Sequence, residues 1–205
     1  MWAMIGGVDA EWGRWRQDNF GDPYMVWHDG PDFTVMVDSA RADPETVFRM
    51  LRAGLADGDP LAASSFAELA QAGLAPPEAE ELLRSVAAEA NGELLIRVAQ
   101  ALYALTGDAS WAESVVTVLR HDGSEFVRLD AAMALAHFPA SAALVAAVAH
   151  GVRDPAYLVR YHSANTLLRY AGRRGDVSSD AALFRRVSGD DPGGWESAAA
   201  DLTRR

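Results

Sequence analysis

Two segments of the chain share a pattern of residues at an offset of 32 positions. Each has a turn that begins with aspartate, then a Val-Arg pair, then a run of small residues that ends in leucine. The turns begin at Asp122 and Asp154, and the pairs are Val127-Arg128 and Val159-Arg160. A period of about 20 to 50 residues is typical of arrays in which each repeat is one supersecondary unit stacked on its neighbours. The chain is therefore expected to fold as a repeat array.

Two weaker copies of the pattern lie closer to the N-terminus, one at Ile96-Arg97 and one opened by Asp-Gly-Asp-Pro at 57–60. Apolar residues recur at spacings of three and four, as in Val47, Met50 and Leu51, which is the period of a helix with one buried face. The Asp-Pro and Asp-Gly turns supply a cap for the next helix. We predict four helical hairpins, with first helices at roughly 44–55, 77–89, 111–120 and 141–151 and second helices at roughly 61–72, 93–106, 125–137 and 156–171.

The composition favours an all-α fold and excludes several other classes. Of the 205 residues, half are hydrophobic and 39 are alanine, the residue with the highest helix propensity. The absence of cysteine excludes disulfides and thiolate metal sites. The longest apolar run, 142–149, is far shorter than the roughly 20 residues of a membrane span, and the N-terminus has no signal-peptide pattern. We expect a soluble cytoplasmic protein, and arginine without lysine suggests a GC-rich bacterial genome.

The repeat pattern resembles the HEAT-repeat family, in particular its short bacterial form, which also occurs in phycobilin lyases. The matching residues are Asp154-Pro155, Val159-Arg160, Ala164 and Leu167 in one copy and Val127-Arg128, Ala132 and Leu135 in the other. The resemblance covers about residues 44–171 and implies an α-solenoid. It implies little about activity, because the family includes scaffolds, inhibitors and a few enzymes.

The two ends of the chain differ from the repeats. We therefore predict an N-terminal cap at 1–43, the repeat array at 44–171, and C-terminal capping helices with a tail at 172–205. Two short helices are expected in the C-terminal part, near 180–187 and 194–203.

The N-terminal cap is aromatic and contains Trp12, Trp15 and Trp27. Its segments 24–27 and 33–37 are rich in aromatic and β-branched residues and flank a turn, which predicts a short β-hairpin packed on the first repeat. The tryptophans either complete this cap or form a surface that binds a partner, since tryptophan is enriched at binding hot spots.

The negative charge is concentrated in the first part of the chain. The formal net charge is −11, and residues 1–120 contain 19 acidic and eight basic residues, whereas 121–205 contain ten of each. An acidic surface repels nucleic acids and anionic membranes and attracts basic proteins. We therefore expect a protein partner with a basic surface. Solubility alone is the alternative explanation of the charge.

The sequence contains no motif of a known catalytic or cofactor site. There is no Gly-x-Gly-x-x-Gly, P-loop, His-Glu-x-x-His or Gly-x-Ser-x-Gly pattern. No two of the five histidines are three or four residues apart, so no helix turn presents a pair of them to a metal ion. We expect no enzymatic activity, no cofactor and no metal site. The arginines near the last repeat are interpreted as a solvated helix face.

The candidate binding residues of the repeats form a polar stripe along the second helices. His162, Asn165 and Arg169 share one face of the last of these helices. Asp130 and His137 occupy equivalent positions one repeat earlier. Second helices commonly line the concave face of a solenoid, where partners bind. The alternative is an inter-repeat contact in which the Asp130 carboxylate holds the His162 imidazole.

Together these features predict a non-catalytic protein–protein interaction module. One specific form is a bacterial immunity protein or antitoxin that binds and occludes a basic toxin. The alternatives are an enzyme or enzyme accessory of the HEAT-like lyase type, and a HEAT protein that binds nucleic acid. No membrane partner is expected, and the negative charge disfavours nucleic acid.

Overall fold

The structure, a computed structural model, describes residues 10–204 apart from the side chains of Ala10 and Trp27. Within these residues every regular element is helical, with thirteen α-helices and two short 3₁₀ helices, so the prediction of an all-α fold is confirmed. None of the described helices is both long and apolar enough to cross a membrane. The helices form two compact units, residues 1–108 and 109–205, called unit 1 and unit 2 below.

Unit 1 contains seven α-helices in its described part. They are α1 (Ala10–Phe20), α2 (Pro23–Asp29), α3 (Thr34–Ala42), α4 (Pro44–Ala56), α5 (Pro60–Gln71), α6 (Ala79–Ala87) and α7 (Gly92–Thr106). Aspartate begins three of them, because Asp22, Asp43 and Asp59 each accept a hydrogen bond from a backbone N–H two or three residues ahead. A proline follows each aspartate in the first helical turn, where its missing N–H has no cost.

The β-hairpin predicted within residues 24–37 is wrong, because α2 and α3 occupy this segment. The physical reason lies in the residues that precede the two helices. Asp22 accepts a hydrogen bond from the Tyr24 N–H at 2.8 Å, and Asp32 accepts one from the Thr34 N–H at 2.9 Å. The Asp22 cap and the Asp32 hydrogen bond just before α3 favour helix nucleation, whereas an isolated hairpin is only marginally stable in water. The β-propensity of the aromatic and branched residues is therefore overridden.

The core of unit 1 is centred on α5 and α7, the second helices of the first two predicted hairpins. The most extensive contact of the unit joins α5 and α7. Phe66 and Leu69 of α5 and Leu102 of α7 are at most 2% exposed. Gly54 of α4 allows a close approach of α4 to α1 and α5, because a Cβ there would lie 2.7 Å from the Trp12 ring and 2.9 Å from the Ala62 Cβ.

Unit 2 contains the remaining helices. They are a 3₁₀ helix (Ala109–Trp111), α8 (Ala112–His121), α9 (Glu125–Leu135), α10 (Ala142–Gly151), α11 (Tyr157–Tyr170), a second 3₁₀ helix (Val177–Ser179), α12 (Ala181–Ser188) and α13 (Pro192–Thr203). The eight repeat helices and the two C-terminal helices predicted from the sequence all form, and the ends of the repeat helices lie within two residues of the prediction. The three-part domain division stays a prediction.

The second helices of unit 2, α9 and α11, are joined by side-chain hydrogen bonds as well as by apolar packing. Thr166 Oγ1 donates to the Ala132 carbonyl at 2.9 Å, and the Tyr170 hydroxyl donates to the Leu135 carbonyl at 2.6 Å. The Leu135 carbonyl, at the C-terminal end of α9, also accepts the Phe138 N–H at 3.1 Å. Burial raises the pKa of Tyr170 to about 12.

The repeated Val-Arg pair has the same local role in both copies within unit 2. Each arginine donates from Nη1 to the two backbone carbonyls six and five residues before it, at 3.0 and 3.3 Å for Arg128 and at 2.9 and 2.8 Å for Arg160. The arginine thus closes the turn that leads into its own helix. This equivalence of contacts gives the arginine a structural reason to recur at the 32-residue offset.

The remaining N–H groups of Arg128 reach the next repeat. Nε and Nη2 of Arg128 bind the two carboxylate oxygens of Asp154 at 2.7 and 3.0 Å. Asp154 also accepts the Ala156 N–H at 2.8 Å, so one carboxylate both fixes the turn before α11 and binds the preceding repeat. The hydrogen bond to Asp154 raises the pKa of Arg128 above its ordinary value.

Arg160 has a different set of long-range partners, and its side chain is 1% exposed. It donates from Nε to the Val187 carbonyl at 2.8 Å and from Nη2 to the Gly189 carbonyl at 3.2 Å. Its guanidinium carbon lies 4.1 Å from the ring centroid of Trp195, which is a cation–π distance. Burial lowers the pKa of Arg160. Helices α12 and α13 therefore cover the last repeat by surrounding its arginine.

Candidate interaction surface

The polar stripe predicted from the sequence lies on α9 and α11. Arg169 is exposed and His162 is half-buried on α11. Asp130 is half-buried on α9, and His137 is exposed just beyond the end of that helix. These four side chains therefore reach the surface of unit 2 at least in part.

Two residues of the stripe, Asn165 and His162, interact with or are partly buried by the rest of unit 2. The side-chain oxygen of Asn165 accepts the Val177 N–H at 2.8 Å, which fixes the segment that follows α11. Burial lowers the pKa of His162, and no carboxylate contributes to the shift. A carboxylate in contact with the imidazole would raise this pKa. The contact between Asp130 and His162 that the sequence suggested stays a prediction.

An apolar groove continues the stripe towards the N-terminal ends of α9 and α11. Its volume is about 190 Å³, and it is lined by Glu125, Phe126, Leu129, Ala156, Tyr157, Leu158 and Val159. The Phe126 side chain is 71% exposed and Leu158 is 47% exposed. Each lies four residues before a member of the stripe, Asp130 or His162, so it shares that helix face.

Sequence reasoning missed Phe126 and Leu158, although a signal for them was present. Both stand immediately before the valine of the Val-Arg pair, at equivalent positions of the two repeats. Successive helix positions differ by about 100° in direction, so two adjacent large apolar residues cannot both point into one narrow buried stripe. Val159 is fully buried, which leaves Leu158 towards solvent.

Aromatic rings extend the groove to a third helix of unit 2. The ring centroids of Tyr157 and Tyr161 are 5.9 Å apart, and those of Tyr161 and Phe184 are 6.5 Å apart. Phe184 belongs to α12 and is 37% exposed. We call the set Phe126, Leu129, Tyr157, Leu158, Tyr161 and Phe184 the apolar patch of unit 2.

The tryptophans that were candidates for partner binding have different positions. Trp12 is fully buried in unit 1, and its Nε1 donates to Asp59 at 3.2 Å. Trp15 is half-buried and stacks on Trp12, with ring centroids 5.5 Å apart. Trp27 belongs to α2, and its side chain lies outside the described part of the structure. Trp12 is therefore a core residue of unit 1, and it cannot contact a partner in this structure.

The division into two units separates the charge almost completely. Unit 1 contains 18 acidic residues and seven arginines, whereas unit 2 contains 11 of each. Five of the seven arginines in unit 1 form ion pairs with carboxylates of the same unit: Arg16, Arg41, Arg49, Arg84 and Arg97. The excess of carboxylates gives unit 1 a net charge of −11, and unit 2 is neutral.

Some carboxylates of unit 1 accept hydrogen bonds at the start of helices and therefore stabilise the fold. The hydrogen bonds that Asp32 and Asp43 accept from Thr34 and Thr46 lower the pKa of both carboxyl groups. In contrast, the exposed acidic side chains Glu78, Glu81 and Glu89 on and around α6 are not helix caps with a side-chain hydrogen bond. They are therefore carboxylates on which an attraction to basic molecules can be tested without removing a cap.

No protein-family model matches this chain, and no curated protein or solved structure matches it either. Among the described residues, no group of three or more histidine, aspartate or glutamate side chains could hold a metal ion. The described residues thus form an all-helical protein with an apolar patch on the neutral unit 2 and a strongly acidic unit 1.

Proposed function

We propose that this chain is a non-catalytic protein-binding module, built as an α-solenoid of HEAT-like hairpins, whose partner has a basic surface. The observation that carries the proposal is the net charge of −11 in unit 1. A field of this sign raises the association rate of basic proteins and repels nucleic acids. A rigid helical array presents such a surface with little loss of conformational entropy on binding.

The internal ion pairs of unit 1 support this choice of partner. Most arginines of the unit already neutralise carboxylates of the same unit, as Arg16 does with Asp59 at 2.9 Å. The remaining carboxylates lack arginines in sufficient number to neutralise them within unit 1. A basic partner supplies the missing positive charge. The specific biological form that we propose is an immunity protein or antitoxin that occludes a basic toxin.

The proposal is tested by affinity purification from the source cells, followed by measurement of binding kinetics with the purified partner. We expect a stoichiometric protein with a basic surface, and an association rate that falls steeply between about 0.05 and about 0.5 M salt. A partner with an acidic contact surface, or association that is independent of salt, would contradict the proposal.

A pair of matched variants locates the charge effect in unit 1. Glu81→Gln combined with Glu89→Gln removes two exposed charges from unit 1, and Glu113→Gln combined with Asp190→Asn removes two from unit 2. We expect the first pair to lower the association rate about two- to five-fold at low salt and the second to change it less. Equal effects of the two pairs would show that unit 1 does not attract the partner.

A further inference from the structure

The apolar patch of unit 2 is continuous across three neighbouring helices. In unit 2, α11 packs against both α9 and α12. Phe126 contributes from α9, Tyr157, Leu158 and Tyr161 from α11, and Phe184 from α12. Large apolar and aromatic side chains that share a groove are the typical anchors of protein interfaces. The patch is therefore more than a set of scattered surface residues.

The charge of the chain indicates what can cover this patch. Unit 2 has equal numbers of acidic and basic residues, so it offers no net attraction to the basic partner proposed above. Two copies of the chain repel each other through unit 1, where each has a net charge of −11. Unit 2 is the one part through which two copies can approach without this repulsion. A second copy of the chain is therefore the occupant that the charges favour.

The edges of the patch carry charges that complement each other under a two-fold axis. Glu125 is exposed at the α9 edge and lines the groove. Arg185 is exposed on α12, directly after the patch residue Phe184. In a two-fold dimer the same surface of both copies is used, so each contact occurs twice. If α9 of one copy faces α12 of the other, Glu125 and Arg185 form two equivalent ion pairs.

We propose that two copies of this chain associate symmetrically through the apolar patch of unit 2, with Leu158 and Phe126 as the central anchors and Glu125 facing Arg185 of the second copy. The proposal concerns the purified chain alone and does not depend on the partner of unit 1. Because self-association would use the neutral surface of unit 2, the carboxylates of unit 1 would still attract a basic protein.

The first test is sedimentation of the full chain over concentrations from about 1 to about 500 µM. We expect a concentration-dependent dimer for the wild type and at least a ten-fold weaker dimer for Leu158→Asp. The matched control is Val35→Asp, which introduces the same charge at an apolar residue of similar exposure in unit 1, 51% against 47%. The control is expected to dimerise like the wild type, and circular dichroism checks that both variants are folded.

The second test is a charge exchange at the edges of the patch. Glu125→Arg and Arg185→Glu are each expected to weaken the dimer about three- to ten-fold, because each places like charges opposite one another. The double variant is expected to restore the wild-type constant, since the ion pairs re-form with the opposite polarity. A monomeric wild type at every concentration, or a dimer unaffected by Leu158→Asp, would overturn the proposal. A double variant weaker than both single variants would overturn the pairing of α9 with α12.

Discussion

The contact between Arg128 and Asp154 provides the sharpest test of the repeat architecture, because the preceding repeat contains a matched control. Asp154 and Asp122 occupy equivalent positions, and each accepts a backbone N–H two residues ahead, at 2.8 Å in both cases. Asp154 alone also forms the paired hydrogen bonds with Arg128. The substitutions Asp122→Ala and Asp154→Ala therefore differ mainly in the loss of this ion pair.

The expected magnitudes follow from these contacts. Loss of one side-chain hydrogen bond to a backbone N–H costs about 1 kcal/mol, which is the whole effect expected for Asp122→Ala. In Asp154→Ala the Arg128 guanidinium also loses two charged hydrogen bonds at a site where the two side chains are 14% and 9% exposed. This loss adds about 2–3 kcal/mol, so Asp154→Ala is expected to lower the free energy of unfolding by about 3–4 kcal/mol.

Urea unfolding monitored by circular dichroism measures the difference, and hydrogen exchange of peptides from α9 and α11 locates it in unit 2. A double-mutant cycle with Arg128→Met is expected to give a coupling of about 2 kcal/mol between Arg128 and Asp154. If Asp122→Ala and Asp154→Ala lowered stability equally, or if the cycle showed no coupling, the repeat contact would contribute nothing and the reasoning would be refuted.

Three further predictions concern unit 2. A methyl group at Gly151 would overlap the Ser163 hydroxyl, so Gly151→Ala is expected to destabilise the fold by about 1–3 kcal/mol in urea unfolding. Ser163→Ala removes a buried hydroxyl without a hydrogen-bond partner, so it should be neutral or stabilising in the same assay. Because burial lowers the pKa of His162, the unfolded chain takes up this proton first, and stability should fall as the pH drops below 6.5. His162→Gln should reduce that dependence in thermal melts from pH 5 to 8. Tyr170→Phe is expected to cost about 1 kcal/mol and to remove the tyrosine that ionises near pH 12 in an absorbance titration, and an unchanged titration would contradict its assignment.

Most helix positions were predictable because the signals that begin helices are local in sequence. Asp43-Pro44 and Asp59-Pro60 begin α4 and α5 as expected, with the aspartate as cap and the proline in the first turn. The same dipeptide at Asp22-Pro23 begins α2. The aromatic and branched residues that follow it nevertheless predicted a strand. A cap identical to those of the repeats was thus the better guide than side-chain propensity.

The functional surface was less predictable because it depends on contacts between distant residues. The stripe of Asp130, His162 and their neighbours followed from helical periodicity, and these two residues lie on α9 and α11. Its role in binding stays a prediction. The groove was missed, since the sequence does not show which of two adjacent apolar residues, such as Leu158 and Val159, faces the neighbouring helix. Nor does it show that Asn165 is bonded to the segment after α11, which periodicity along one helix cannot reveal.

The environment of Arg160 limits how an array of this kind can change in length. Every Val-Arg arginine of unit 2 needs acceptors from the element that follows it, and for Arg160 these are the carbonyls at the end of α12. If one 32-residue repeat were excised, one Val-Arg arginine would remain in unit 2, and the carbonyls at the end of α12 would still follow it. Loss of α12 and α13 would instead remove these acceptors and the Trp195 ring and expose the Arg160 side chain, which those helices bury. Evolution or design can therefore alter the number of repeats more readily than it can discard the C-terminal helices.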